Sequence, residues 1–293
     1  MPVLLLGWDK PVYALMDGAK FADLPALLAK LDIQPRTLFI PPQDAATIRS
    51  GPWFAALDAR RINNLFRIEG IADAAVFWRG DIPEDAAFRH LRSLLFVKIP
   101  RPADAPPDPF AAEDESVLFR HWDPSVIVLV LPVLDPTQRA RLFGPLRVMG
   151  LQAKSLGGAR EAKWREDWPA APSGRLKISA AQMAAIVNGM VNRSRQAVVD
   201  YLRKVAPAQT NQQDELSLLA FIAAAEDSGG SLGLKTERAL GQWAYLLLIS
   251  QGNIAKSREA TTYIRDGAGR PDINIDTLLL GIATELGRRG LSG

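Results

Sequence analysis

The chain carries two histidines, His90 and His121, and no cysteine in 293 residues. Without cysteine there is no thiol nucleophile, no Cys zinc site, no iron–sulfur cluster and no disulfide framework. Histidine acid–base chemistry needs a second titratable group of offset pKa in a shared cleft. Asp17 and Asp123 are the carboxylates the sequence offers. One reading is therefore a small-molecule enzyme with an Asp/His cleft (Asp17, His90, Asp123) in the N-terminal half, and the other is that both histidines are structural. The chain has neither H-E-x-x-H nor H-x-H spacing, so no metal is expected. No serine is read in a G-x-S-x-G nucleophile elbow. The run Gly229-Gly230-Ser231-Leu232-Gly233-Leu234-Lys235-Thr236 comes nearest to a phosphate loop. Leu234 separates the glycine from the lysine, and the preceding segment reads as a helix, so a helix C-cap and turn is expected there, and no nucleotide or other cofactor.

Composition narrows the partners. Hydrophobic residues make up 48% and charged residues 23% of the chain, the balance of a globular protein rather than a disordered one. Residues 1–150 hold 17 basic and 18 acidic side chains, and residues 151–293 hold 18 and 14. That field is too weak for the dense phosphate neutralisation of a nucleic-acid binder, although the basic second half keeps such a role as a minor alternative. The longest apolar run, Val126 to Leu134, falls well short of the ~20 residues that span a bilayer. The start, Met1-Pro2-Val3-Leu4-Leu5-Leu6, lacks a basic n-region, so no signal peptide, no membrane and a cytoplasmic location are expected.

The elements that must position these residues alternate in the first half. Val12–Met16, Thr37–Ile40 and Ala74–Trp78 read as strands, and 22–31 and 84–93 as helices. Leu94–Ile99 and Ser116–His121 read as a hairpin around a long mobile loop, 100–115. Asp123-Pro124 and Asp135-Pro136 each set a capping carboxylate before a proline at the first helical position, which predicts helices over 124–134 and 136–143, the first distorted near Pro132. Residues 151–176, with Gly157-Gly158, Trp164, Trp168 and Pro169, read as a linker with room for a strand or two and with tryptophans that could dock on a domain. Beyond it the strand signals stop. Met183, Val187, Met190, Ser194, Val198, Tyr201 and Val205 form one apolar stripe of a long helix. Further helices are expected over 215–226, stopped by Gly229-Gly230, over 235–250 as the buried centre of a bundle, over 255–265, and around the Ile275–Leu286 stripe. The fold class is α+β: a mixed α/β domain with a small sheet over 1–150, the linker 151–176, and an all-α domain over 177–293.

Several phrases then fall in order: Val12 to Lys20 with Asp17-Gly18, Gly51-Pro52-Trp53-Phe54, Phe88-Arg89-His90-Leu91-Arg92, Val117 to Pro124 with Arg120-His121-Trp122-Asp123-Pro124, Leu131-Pro132-Val133-Leu134, and Phe143-Gly144-Pro145. Over about residues 10–147 this set resembles the bacterial type VI secretion effector adaptor/chaperone family, called Tap or TEC and first catalogued as domain-of-unknown-function family 4123. His121 stands where that family more often has another aromatic residue, and Lys20 where arginine is common. The resemblance implies a non-enzymatic cytoplasmic adaptor that binds one type VI effector (a toxin) and helps load it onto the VgrG spike, often with a PAAR tip. It also implies a variable C-terminal region suited to cargo selection.

Two roles remain open for the shared residues. Asp17, Gly18, Gly51, Pro52, Asp123, Pro124, Gly144 and Pro145 are turn and cap types that hold a fold, with Arg120 or Arg92 placed to pair Asp17. Arg89, Arg92, Arg120 and Trp122 are the types enriched at binding hot spots, and are the candidate partner-binding residues.

Overall fold

The computed structural model describes residues 1–8, 11–40, 43–101, 113–153 and 156–290. Most of the expected long loop, 102–112, and the Pro41-Pro42 strand stop lie outside the described residues. The chain divides into two units, Met1–Val187 and Asn188–Gly293.

The first unit is built on a six-stranded sheet of order β2-β3-β1-β4-β7-β8, antiparallel throughout. The strands are β1 (Val12–Asp17), β2 (Arg36–Thr37), β3 (Pro52–Leu57), β4 (Ala75–Arg79), β7 (Val148–Ala153) and β8 (Gly158–Lys163); β5 (Phe96–Pro100) and β6 (Asp114–Leu118) form the expected hairpin. The unit's helices are α1 (Pro2–Leu6), α2 (Leu24–Ala29), α3 (Ala45–Ser50), α4 (Ala59–Leu65), α5 (Glu84–Arg92), α6 (Pro124–Val130), α7 (Pro136–Phe143) and the start of α8 (Ala180–Val205). Side chains alternate along β1. Val12, Ala14 and Met16 pack with Leu5, Leu24, Leu28, Ile62 and Leu65 of α1, α2 and α4. Tyr13 and Leu15 pack with Phe88, Leu91, Ile127, Val130 and Phe143 of α5, α6 and α7. Every residue of β1 is buried. A sheet covered on both faces needs apolar residues on both, which is why its strands read as runs rather than as alternation.

Local signals set the helix starts. Asp123 accepts from Ser125 N (2.9 Å), and Asp135 with Gln138 closes a reciprocal capping box. α6 ends at Val130, and Leu131–Val133 continue as a 3₁₀ turn, because Pro132 cannot extend the α-helical ladder. Gln138 also donates to Lys177 O (2.5 Å), tying α7 to the segment before α8. Gln138→Ala should lower the unfolding free energy by about 1–2 kcal/mol, read by urea titration, since it removes a cap and that tie together.

The stretch 151–176, expected as a linker, belongs to the first unit. It completes β7, supplies β8 as an edge strand and docks both tryptophans: Trp168 lies 5.3 Å edge-to-face from Phe143, and Arg147 sits 4.2 Å above Trp164. The bounds of β8 are not legible in the sequence because Arg160, Glu161 and Lys163 give it the charged character of a protected edge.

The second unit is helical: the remainder of α8, then α9 (Pro207–Thr210), α10 (Glu215–Ser231), α11 (Glu237–Ile249), α12 (Asn253–Lys256), α13 (Arg258–Asp266) and α14 (Pro271–Gly290). As expected, α11 is the most enclosed; Trp243 is 1% exposed and donates to Ser228 Oγ (2.9 Å). Two expectations need correction. Gly229-Gly230 does not stop α10. A Cβ on Gly229 would stand 3.0 Å from both Leu240 and Trp243, so the glycine admits close helix packing, and the turn comes later, at Gly233 (φ +86°). The single stripe on α8 is also interrupted: Met183 packs in the first unit and Val198 in the second, whereas Val187, Met190, Tyr201 and Val205 are exposed. The buried side of the helix in the second unit is Val198, Val199 and Leu202, because one helix serves two cores in turn. Among the described residues, no helix is long and apolar enough to cross a membrane.

Candidate partner-binding surface

The C-terminal end of β1 gathers residues that lie far apart in sequence. Asp17, the last of the strand, faces the same side as Tyr13 and Leu15 and is 1% exposed. Its Oδ1 accepts from Ala19 N (3.2 Å), starting the short 3₁₀ turn that follows. Its Oδ2 accepts from Arg120 Nη2 (2.6 Å), and the same nitrogen lies 3.3 Å from Asp123 Oδ2. One guanidinium thus answers two buried carboxylates, an arrangement that offsets their desolvation. The Arg120 side chain stays 43% exposed, so its remaining donors can meet a carbonyl or carboxylate from outside. Arg120→Met should cost about 2 kcal/mol, discounted from a fully buried pair because the guanidinium is half in water, and Arg120→Lys should recover part of it in the same denaturation assay.

Gly18 N donates to Gly51 O (3.0 Å), and β1 and β3 pair with Asp17 opposite Pro52. A Cβ on Gly51 would stand 2.4 Å from the Phe39 ring, and that ring meets Trp122 edge-to-face at 6.4 Å. Phe39 therefore joins the Gly51-Pro52 turn to the Arg120–Asp123 segment. The sequence reading passes over it; its only signal is an aromatic at the end of a short strand. Trp122 needs correction as a partner-binding residue. It is 3% exposed and packed edge-to-face against Phe39 and His121, with no surface to offer. Pro124, at the first position of α6, is buried as a cap residue would be.

A second cluster lies on α5 and the end of α7. Arg89 is exposed and Arg92 half-exposed, with the Arg92 guanidinium 5.8 Å from the Phe88 ring. Arg36, another residue the sequence did not mark, lies 3.8 Å over the same ring and pairs Asp85 (2.7 Å). Its hydrogen bond and charge hold the Asp85 carboxyl below the usual range. His90 bonds Leu142 O (3.0 Å) through Nε2, and its ring fills the space above Gly144, where a Cβ would come within 2.2 Å. Gly144 has φ +53° and is followed by the exposed Pro145. The two phrases carrying His90 and Gly144-Pro145 are thus one packed joint. Burial pushes His90 and His121 each down to about 4, so both rings are neutral at neutral pH.

The enzyme trio is not assembled. Arg120 joins Asp17 to Asp123, whereas His90 bonds Leu142 O and neither carboxylate. The phosphate-loop candidate is a helix end: Leu234 N donates to Gly229 O (3.1 Å), and Thr236 caps α11. Within it, Gly229-Gly230-Ser231-Leu232-Gly233 spells G-x-S-x-G, which the sequence reading did not single out. Ser231 ends a helix, not a strand, and its hydroxyl donates to Ser228 O (2.6 Å).

The profile of a family described as "Domain of unknown function (DUF4123)" matches residues 12–141. That span opens on the first residue of β1 and closes inside α7, so it includes Asp17, Gly18, Gly51, Arg120 and Asp123. No curated protein and no solved structure matches the chain.

Proposed function

We propose that the chain is a cytoplasmic, non-enzymatic adaptor/chaperone that binds one type VI secretion effector and helps load it onto the VgrG spike, with or without a PAAR tip. The observation that carries the reading is the DUF4123 match over residues 12–141, which covers every ordered phrase that resembles the Tap/TEC adaptors except Phe143-Gly144-Pro145. The geometry is compatible with it. The shared glycines, prolines and buried acids build a rigid corner, and the shared arginines Arg89, Arg92 and Arg120 keep exposed surface. Specificity then rests on shape and on desolvated arginine anchors, with no nucleotide consumed.

The test is affinity capture from the native cytosol of cells that express the secretion system, using the tagged full chain and an Arg89→Glu variant. Arg89 is exposed and in no salt bridge among the described residues, and its charge only helps to lower Asp85, so the variant should melt within a few degrees of the parent. The full chain should recover a VgrG protein and one toxin, and Arg89→Glu should recover less of one of them. Recovery of neither by the full chain contradicts the proposal.

A further inference from the structure

In the second unit, α8 and α11 leave between them a groove of about 440 Å³, lined in part by Val198, Tyr201, Glu237, Arg238, Gly241 and Gln242. Its polar groups are unevenly satisfied. Gln242 Nε2 donates to Asp276 Oδ1 (2.5 Å), which fixes the amide's orientation and leaves Oε1 buried with no hydrogen-bond partner. Glu237 accepts only the Ser194 hydroxyl (2.8 Å) and pairs with no cation among the described residues. Arg238 is answered by Asp276 (2.7 Å), so the unmet charge of the groove is negative. Tyr201 is 38% exposed, edge-to-face with Tyr245 at 6.5 Å. The floor is Gly241. A Cβ there would rest 3.7 Å and 3.9 Å from the two methyls of Val198 and 4.0 Å from the Tyr201 ring, filling the space without a clash.

We propose that this groove binds the side chain of an arginine presented by a partner polypeptide. A guanidinium supplies positive charge for Glu237 and a flat cation for the exposed Tyr201 ring. The volume suits one long side chain with its flanking backbone. The inference goes beyond the adaptor reading and does not depend on it, since it rests on the second unit alone.

Calorimetric titration of the full chain with the peptide Ac-Gly-Arg-Gly-NH2 tests it. Saturable one-to-one binding is expected. The same peptide with citrulline, which keeps the shape and loses the charge, should bind at least tenfold more weakly. Glu237→Gln, which keeps an acceptor for Ser194, should weaken the arginine peptide at least tenfold. Gly241→Ala should do the same while leaving the melting temperature unchanged or raised, since alanine favours the helix. No saturable heat, equal affinity for the citrulline peptide, or undiminished binding by Gly241→Ala overturns the site. Agmatine binding as tightly as the peptide overturns the polypeptide source and makes the ligand a free guanidinium compound.

Discussion

Gly18→Ala is expected to destabilise the first unit by about 4 kcal/mol, enough to unfold much of a marginal domain at physiological temperature. The new Cβ would stand 2.2 Å from Arg49 O and 2.7 Å from Gly51 O. Both obstacles are backbone atoms, so no side-chain rotation relieves the clash, and the chain must move. Movement there breaks the Gly18 N to Gly51 O bond and displaces Asp17 from Arg120, exposing a buried acid to loss of its partner. Gly230→Ala is the control. Nothing lies within 4 Å of a Cβ at that position inside α10, and alanine should stabilise it by about 0.5–1 kcal/mol. Thermal and urea unfolding of both variants decide the matter; a Gly18→Ala protein that melts within a degree of the parent contradicts the packing of this corner.

Acid should destabilise the first unit above the range where carboxylates titrate. His90 and His121 are buried and pushed down to about 4, from an unfolded value near 6.5. Between those values the unfolded chain binds more protons than the folded one. Stability is therefore fully present above pH 6.5 and is lost as pH falls through the folded values, by an amount on the order of 3 kcal/mol per ring at pH 4. Each ring's positive charge would also oppose the other's, since His90 is among the groups that lower His121. Urea unfolding of the parent and of His121→Phe between pH 7.5 and 4.5 measures it. The variant should show a shallower pH slope; an unchanged slope would mean that His121 does not titrate with folding.

The sequence showed most clearly what is local. Asp123-Pro124 and Asp135-Pro136 rest on capping chemistry within a few residues, and both helices start in the structure where expected. The Asp17–Arg120 pair was legible as a possibility only, because 103 residues separate the partners and nothing in either segment says which arginine arrives. Trp122 read as a surface anchor because its neighbours are charged. It is buried because its ring packs edge-to-face against Phe39, brought in from a distant segment, and against its neighbour His121. The sequence allows for a strand or two in 151–176, but the bounds of β7 and β8 are not legible in it, for opposite reasons: one is apolar on both faces and the other is a charged edge, so neither alternates. A boundary at 150 would cut through β7 and discard β8, which is why the first unit runs on to Val187. The candidate surface was only partly visible. Arg89 and Arg120 are exposed and Arg92 half-exposed, whereas Phe39 and Arg36 carry no distinguishing local signal.

In the proposed role, this chain delivers an effector to the secretion spike. The most direct measurement compares effector in the culture supernatant and in the cells, between the parent strain and one lacking this chain. The account predicts that the secreted effector disappears while its cellular level is unchanged, and that the full chain supplied in trans restores it. Normal secretion in the strain that lacks the chain would contradict it.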